Sequence, residues 1–205
     1  MPPDNLKEIV KAAKEDGDEK VWNKIDPDIR KDLGPHDRVR SFQIFTYALA
    51  ICEDALRLKP KGDLHRLNTL FKVAKKMQIK GGQFHWFWKD RKKRRSRDRN
   101  AADFCLRGAG LLCLRHRETI KHHAPEAWET LYTLVRNATQ ASWQRHHPEK
   151  YGNMALMNAL NLILLGETFS WPEVAREGYR RFDRICIYTY EWGIHEYSSP
   201  TYTAI

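Results

Sequence analysis

The sequence predicts an all-α fold of antiparallel helical hairpins. Three observations carry this expectation. Six segments between Ser41 and Tyr190 repeat apolar residues at three-and-four spacing, turn residues such as Gly and Pro punctuate them, and no alternating strand pattern of comparable length occurs. Short connections force successive helices to run antiparallel, so six helices give three hairpins.

Residues 1–40 are polar and interrupted by Pro2, Pro3, Gly17, Pro27, Gly34 and Pro35, with one short amphipathic stretch at Leu6, Ile9, Val10 and Ala13. They read as an N-terminal arm. From Ser41 the pattern is helical: Phe42, Phe45, Leu49, Cys52 and Leu56 share one face, and Lys59-Pro60-Lys61-Gly62 ends the run. Leu64, Leu67, Phe71, Ala74 and Met77 mark a second helix, stopped near Gly81 and Gly82. A third runs from about Asn100 through Phe104, Gly108, Leu111, Leu112 and Arg115 to a turn at His122-His123-Ala124-Pro125. The fourth carries Trp128, Leu131, Leu134, Val135 and Ala138, and closes before His146-His147-Pro148. The fifth, Tyr151 to Leu165, is apolar almost all round; it is expected to be the most buried, with Gly166 as its C-terminal cap. Ser170-Trp171-Pro172-Glu173 reads as a capping box that opens a sixth helix through Val174, Gly178, Phe182 and Ile185 to about Tyr190. Taken alone, the run Ile185 to Tyr190 fits a strand as well. Three hairpins make an arc or a bundle; an arc would be half of a closed (α/α) toroid, and the sequence stops at Ile205 with no polar tail. The expected organisation is therefore an arm over residues 1–40 and a helical-hairpin domain over 41–205, truncated at its C-terminus.

At 205 residues and 41% hydrophobic composition the chain is long enough to bury one substantial core, and disorder is excluded as its general state. Neither an apolar run of about eighteen residues nor an apolar stretch behind Met1 occurs, so no membrane span, export signal or membrane partner is read. Cys52, Cys105, Cys113 and Cys186 are widely spaced among apolar neighbours, which suits buried, reduced thiols and a cytoplasmic setting better than a metal knuckle or a disulfide scaffold. The formal charge of +10 is local: Lys89 to Arg99 holds eight basic and two acidic residues and supplies six of the ten.

Four constellations are candidates for chemistry. Phe84, His85, Trp86, Phe87 and Trp88, followed by the basic run, have the composition of a nucleic-acid surface, where rings stack on bases and cations meet phosphates; the same letters also describe a solvated loop or helix face, or a nuclear import signal. Asp98, flanked by Arg97 and Arg99 at a helix start, either clasps an arginine or faces a ligand together with Arg99 and Asn100. Asn158 and Asn161 share a face of the apolar fifth helix, with Asn153 on a neighbouring flank. Such amides either tie the helix to its neighbours or line a polar cavity. The last eighteen residues gather four tyrosines, Trp192, His195, Glu191 and Glu196 around the turn formers Gly193 and Pro200. Here His195, Glu196, Tyr197 and Tyr202 suit general acid-base work. The paired histidines 122–123 and 146–147 read as solvated or capping groups in turns. No metal or cofactor is assigned, and the nucleophile elbow, the phosphate loop and the dinucleotide fingerprint are absent.

In three places, DRNAADF at 98–104, NMALMNALNLILLGE at 153–167 and GIHEYSSPTY at 193–202, the chain resembles a group of uncharacterised helical-hairpin toroid proteins. The resemblance covers about residues 80–205. That group is similar in architecture to six-hairpin glycosidases and to the toroid domains of polysaccharide lyases. The resemblance implies a cleft lined by loops at one end of the hairpins and a carbohydrate ligand, neutral or anionic. On a lyase pattern His195, Tyr197, Tyr202, Arg99 and Asn158 or Asn161 would act on a uronate; on a glycosidase pattern Asp98 would pair with Glu191 or Glu196. Trp86, Trp88 and Trp192 complete the expected substrate-binding set. The expectation from another class is a basic, all-helical nucleic-acid-binding or interaction module using residues 85–99.

Overall fold

The structure, a computed structural model, describes residues 40–57, 64–87 and 98–193. Those residues form six helices: α1 (Ser41–Arg57), α2 (His65–Met77), α3 (Ala101–His123), α4 (Pro125–Gln144), α5 (Gly152–Thr168) and α6 (Pro172–Trp192). All six predicted spans are helical, including residues 185–190 within α6. Neighbouring helices pack antiparallel. The long α3 is central: it touches α1, its hairpin partner α4, and α5, while α2 lies against α4. Phe45, Phe71, Phe84, Leu67, Leu106 and Leu131 fill the core between them and are essentially inaccessible.

Between α2 and α3 the chain doubles back at Gly81 and Gly82, whose φ angles of 87° and 85° are open to glycine and costly for other residues. The Ile79 amide donates to the Gln83 carbonyl at 2.8 Å and the His85 amide to the Met77 carbonyl at 2.9 Å, which returns the chain alongside its own path. The turn is pressed against α4, since a Cβ on Gly82 would stand 1.9 Å from the Asn137 carbonyl oxygen. Gln78 seals the contact: its Nε2 donates to the Leu134 carbonyl at 2.9 Å, and its Oε1 accepts from Asn137 Nδ2 at 3.2 Å. Phe87 then pairs with Arg40 at the start of α1, which brings Trp86 beside Phe42.

Four expectations need correction. Gly166 does not cap α5; the helix continues to Thr168, and Gly166 lies inside it where α6 comes closest, a Cβ there meeting the Ala175 amide nitrogen at 2.4 Å. The capping box is not formed either. With the helices so close the turn is short; Ser170 takes φ 54°, Trp171 is the N-cap with no side-chain cap bond, and Glu173 binds Arg176 at 2.8 Å instead. Nor is α5 the most buried helix. Leu156 and Leu160 are 38% and 47% exposed, because α3, α4 and α6 leave one flank of α5 uncovered. Of the four cysteines, Cys52, Cys105 and Cys113 are buried, whereas Cys186 is exposed on the outer side of α6.

The Gly166 contact yields a test. Overpacking a helix crossing that has no room for a methyl group costs about 1–3 kcal/mol. Gly166→Ala is therefore expected to lower the thermal midpoint, whereas Leu156→Ala, at an exposed site, leaves it nearly unchanged in the same melting series.

Candidate functional site

At the start of α3 the sequence places a carboxylate, Asp103, among Ala101, Ala102, Cys105 and Leu106, and folding carries it to zero exposure. A carboxylate in the first turn gains from the helix dipole, but that does not offset burial alone. Three neighbouring segments supply its partners. Ser142 Oγ, near the end of α4, donates to Asp103 Oδ1 at 2.5 Å; Asn158 Nδ2 from α5 reaches the same oxygen at 3.0 Å; His147 Nε2, from the turn between them, lies 3.1 Å from Oδ2. Asn161 Nδ2 donates to the Asp103 carbonyl at 2.8 Å. Asn158 also reaches Ser142 Oγ at 2.8 Å and the Ser142 carbonyl at 3.0 Å, so both asparagine amide groups are engaged by protein.

Arg181 of α6 closes the cluster. Its Nη1 donates to the Arg145 carbonyl at 2.7 Å, to the Ser142 carbonyl at 3.2 Å and to Asn158 Oδ1, and its Nη2 donates to the Trp143 carbonyl at 2.6 Å. The three carbonyls belong to the last turn of α4 and the residue after it, where a helix leaves its acceptors unpaired and its dipole favours a cation. Glu177 balances the charge, accepting from Arg181 Nε at 2.6 Å and from Arg180 Nε at 2.7 Å. The hydrogen bond from Arg180, with Arg181 adding to it against the effect of partial burial, draws the Glu177 carboxyl down to about 2. Burial, then the charges of Arg184 and Arg181, hold His146 below its ordinary range.

The same end of the hairpins carries the described members of the predicted site. Trp86 is half-buried, its ring centroid 5.3 Å from Phe42 and 5.2 Å from Phe104, and Arg40 stands 6.0 Å from its ring. Asp98 Oδ1 accepts from the Asn100 amide at 2.7 Å and so shapes the entry into α3. Arg99 is exposed, and Asn100 Oδ1 is enclosed with no hydrogen-bond partner among the described residues. Thus Trp86 meets α3 at Phe104, one turn past Asp98, Arg99 and Asn100, and Asn158 and Asn161 bind Asp103 in the same first turn. Trp192, 65% exposed, and the exposed Glu191 stand at the far end of α6, which is longer than α5 by about 6 Å. Trp88 and the four acid-base candidates His195, Glu196, Tyr197 and Tyr202 lie outside the described residues.

Sequence reasoning missed Asp103, Ser142, His147 and Arg181. His147, expected to be solvated or capping, is 5% exposed and held by Asp103. The available signal was a carboxylate on the apolar face of α3, which burial obliges to find donors. Among the described residues no group of three His, Cys, Asp or Glu side chains comes together in a way that would hold a metal ion, and no helix is long and apolar enough to cross a membrane. The chain matches no protein-family profile, no curated protein and no solved structure.

Two outcomes follow from the cluster. Removing one partner of a buried, hydrogen-bonded charge costs about 3–5 kcal/mol, so Arg181→Ala is expected to lower unfolding stability by that order in denaturant titrations, and Arg181→Lys by nearly as much because it lacks the planar fork. Glu177 has a carboxyl drawn below its ordinary 4.5, so its stabilisation is complete above pH 4.5 and is lost as pH falls from 4.5 toward 2. Melting curves at stepped pH should show wild type more stable than Glu177→Gln near neutrality, with the gap closing across that window.

Proposed function

We propose that this protein is a carbohydrate-binding helical-hairpin domain of the toroid type, with its sugar site at the end of the hairpins where α3 begins. One observation carries the reading. An indole between Phe42 and Phe104 lies one turn of α3 from a helix start that carries the exposed Arg99 and the partly exposed Asp98 and Asn100. A sugar ring presents an apolar face to an aromatic side chain and hydroxyls to such polar groups, and sites of this kind combine ring surfaces with a few placed polar atoms. The exposed Trp192 offers a second ring at the same end. The buried Asp103 cluster beneath supports the reading because it keeps the polar end rigid, which limits the entropy lost on binding. The proposal is one of binding; the acid-base candidates in the closing segment would add chemistry to it.

Titration of tryptophan fluorescence with neutral and uronate-containing oligosaccharides tests this. Saturable binding is expected, changing little between about 50 and 200 mM salt and weakened about tenfold or more by Asn100→Ala or Trp192→Ala. Absence of saccharide binding at either salt overturns the proposal. So does DNA or RNA binding that falls steeply across that salt range while saccharides give no signal, since that is the behaviour of phosphate contacts.

A further inference from the structure

Large apolar and aromatic side chains that remain exposed are not spread evenly over the molecule. Of the eight among the described residues, Leu156, Leu160, Tyr179, Ile187, Tyr190 and Trp192 belong to α5 and α6. Of the last three, Tyr190 and Trp192 stand where α6 overshoots α5. The first three define a face. On α5, Asn158 points to α3 and α4, while Gly166 and Ile163 meet Ala175 and Gly178 of α6. Leu156, Leu160 and Glu167, spaced by four and seven, occupy the remaining flank. On α6, Arg181 and Glu177 turn toward the end of α4, and Tyr179 and Cys186 lie on the opposite side, seven residues apart. The two flanks border one another: Glu167, Ala175, Arg176 and Tyr179 line a common open concavity of about 610 Å³.

We infer that this outer face of the third hairpin is a self-association surface that docks the same face of a second copy of the chain. Charge favours this partner. The chain is formally +10, yet near this face the acidic Glu167, Glu173 and Asp183 offset Arg176, which is bonded to Glu173, and Arg117, which holds the Thr168 carbonyl, so two copies can approach here without strong repulsion. Among the described residues the exposed positions of α2 are basic, Lys72, Lys75 and Lys76, and so do not offer an apolar counterpart. Area is adequate for a weak dimer. Two helices about 10 Å wide and 25 Å long give a footprint of about 500 Å² per copy, about 1,000 Å² for the pair, which is near the lower bound for a specific interface. A face used in this way by both copies is isologous and closes at two.

Sedimentation velocity across about 1–200 µM protein, joined to maleimide labelling of Cys186, tests the surface. Cys52, Cys105 and Cys113 are buried, and burial pushes Cys52 and Cys113 up to about 12, so labelling reports Cys186. The expected result is a monomer–dimer equilibrium with Cys186 labelling slowed several-fold at high concentration. Both effects should vanish in Leu160→Glu and in Tyr179→Glu, whose circular dichroism stays unchanged because positions 160 and 179 are 47% and 48% exposed. A monomer at every concentration overturns the inference, as does a dimer that both substitutions leave intact.

Discussion

The burial of Asp103 is the constraint on which the second half of this fold depends. A carboxylate at zero exposure is tolerated only when its lone pairs are met, and meeting them draws in Ser142 from the end of α4, His147 from the following turn and Asn158 from α5. Ser142 and Asn158 are also bonded to each other and to Arg181, so the positions of α3, α4 and α5 are fixed with respect to one another around one acidic side chain. Leucine packing tolerates small slides between helices. A hydrogen-bonded charge with three donors does not, and this makes the start of α3 the reference point of the polar end.

Arg181 extends the same logic to α6. It spends its planar fork on backbone carbonyls that the end of α4 leaves without partners, and on the oxygen of the asparagine already holding Asp103. The arrangement recurs elsewhere. At the opposite end of the bundle Arg117 of α3 donates to the Thr168 carbonyl, the last of α5, at 2.8 Å. Between α1 and α3 the buried Glu53 sits 2.9 Å from both His116 and Arg115. Side-chain cations and imidazoles from one helix satisfying groups of another thus supply the specificity, while the apolar core supplies most of the driving force. Where neither is used, the helices approach directly: the α5–α6 crossing at Gly166 leaves no room for a side chain. Aromatic contacts finish that far end, with Phe169 and Trp171 stacked at 4.7 Å and Tyr132 5.4 Å from Phe169.

Much of the fold was legible because helical periodicity is a local property: Phe42 through Leu49, or Trp128 through Ala138, place their apolar residues on one side whatever surrounds them. The errors share a different origin. Gly166 and Ser170 were read by local rules for helix ends, and both rules were overridden by how closely α6 returns along α5. Leu156 and Leu160 were read as buried because they are apolar, but burial needs neighbours, and among the described residues no helix covers that flank of α5. Among the candidate site residues, Trp86 and Asp98 to Asn100 were visible as unusual; that Trp86 packs on Phe42 of α1 and Phe104 of α3 rests on the turn at Gly81 and Gly82, which returns the chain to α1.

By itself the sequence determined the helical class, the approximate span of each helix, the antiparallel order of neighbours and the presence of polar residues that an apolar environment would have to satisfy. Those properties are encoded within about twenty residues of chain. The tertiary structure alone decided which polar groups satisfy which: that Asn158 and Asn161 answer Asp103, that His147 is a core residue, and that Arg181 ends a helix to which it does not belong. Pairings across more than about sixteen residues of sequence depend on the packing of whole helices, and packing is a property of surfaces meeting in space, which no local pattern records.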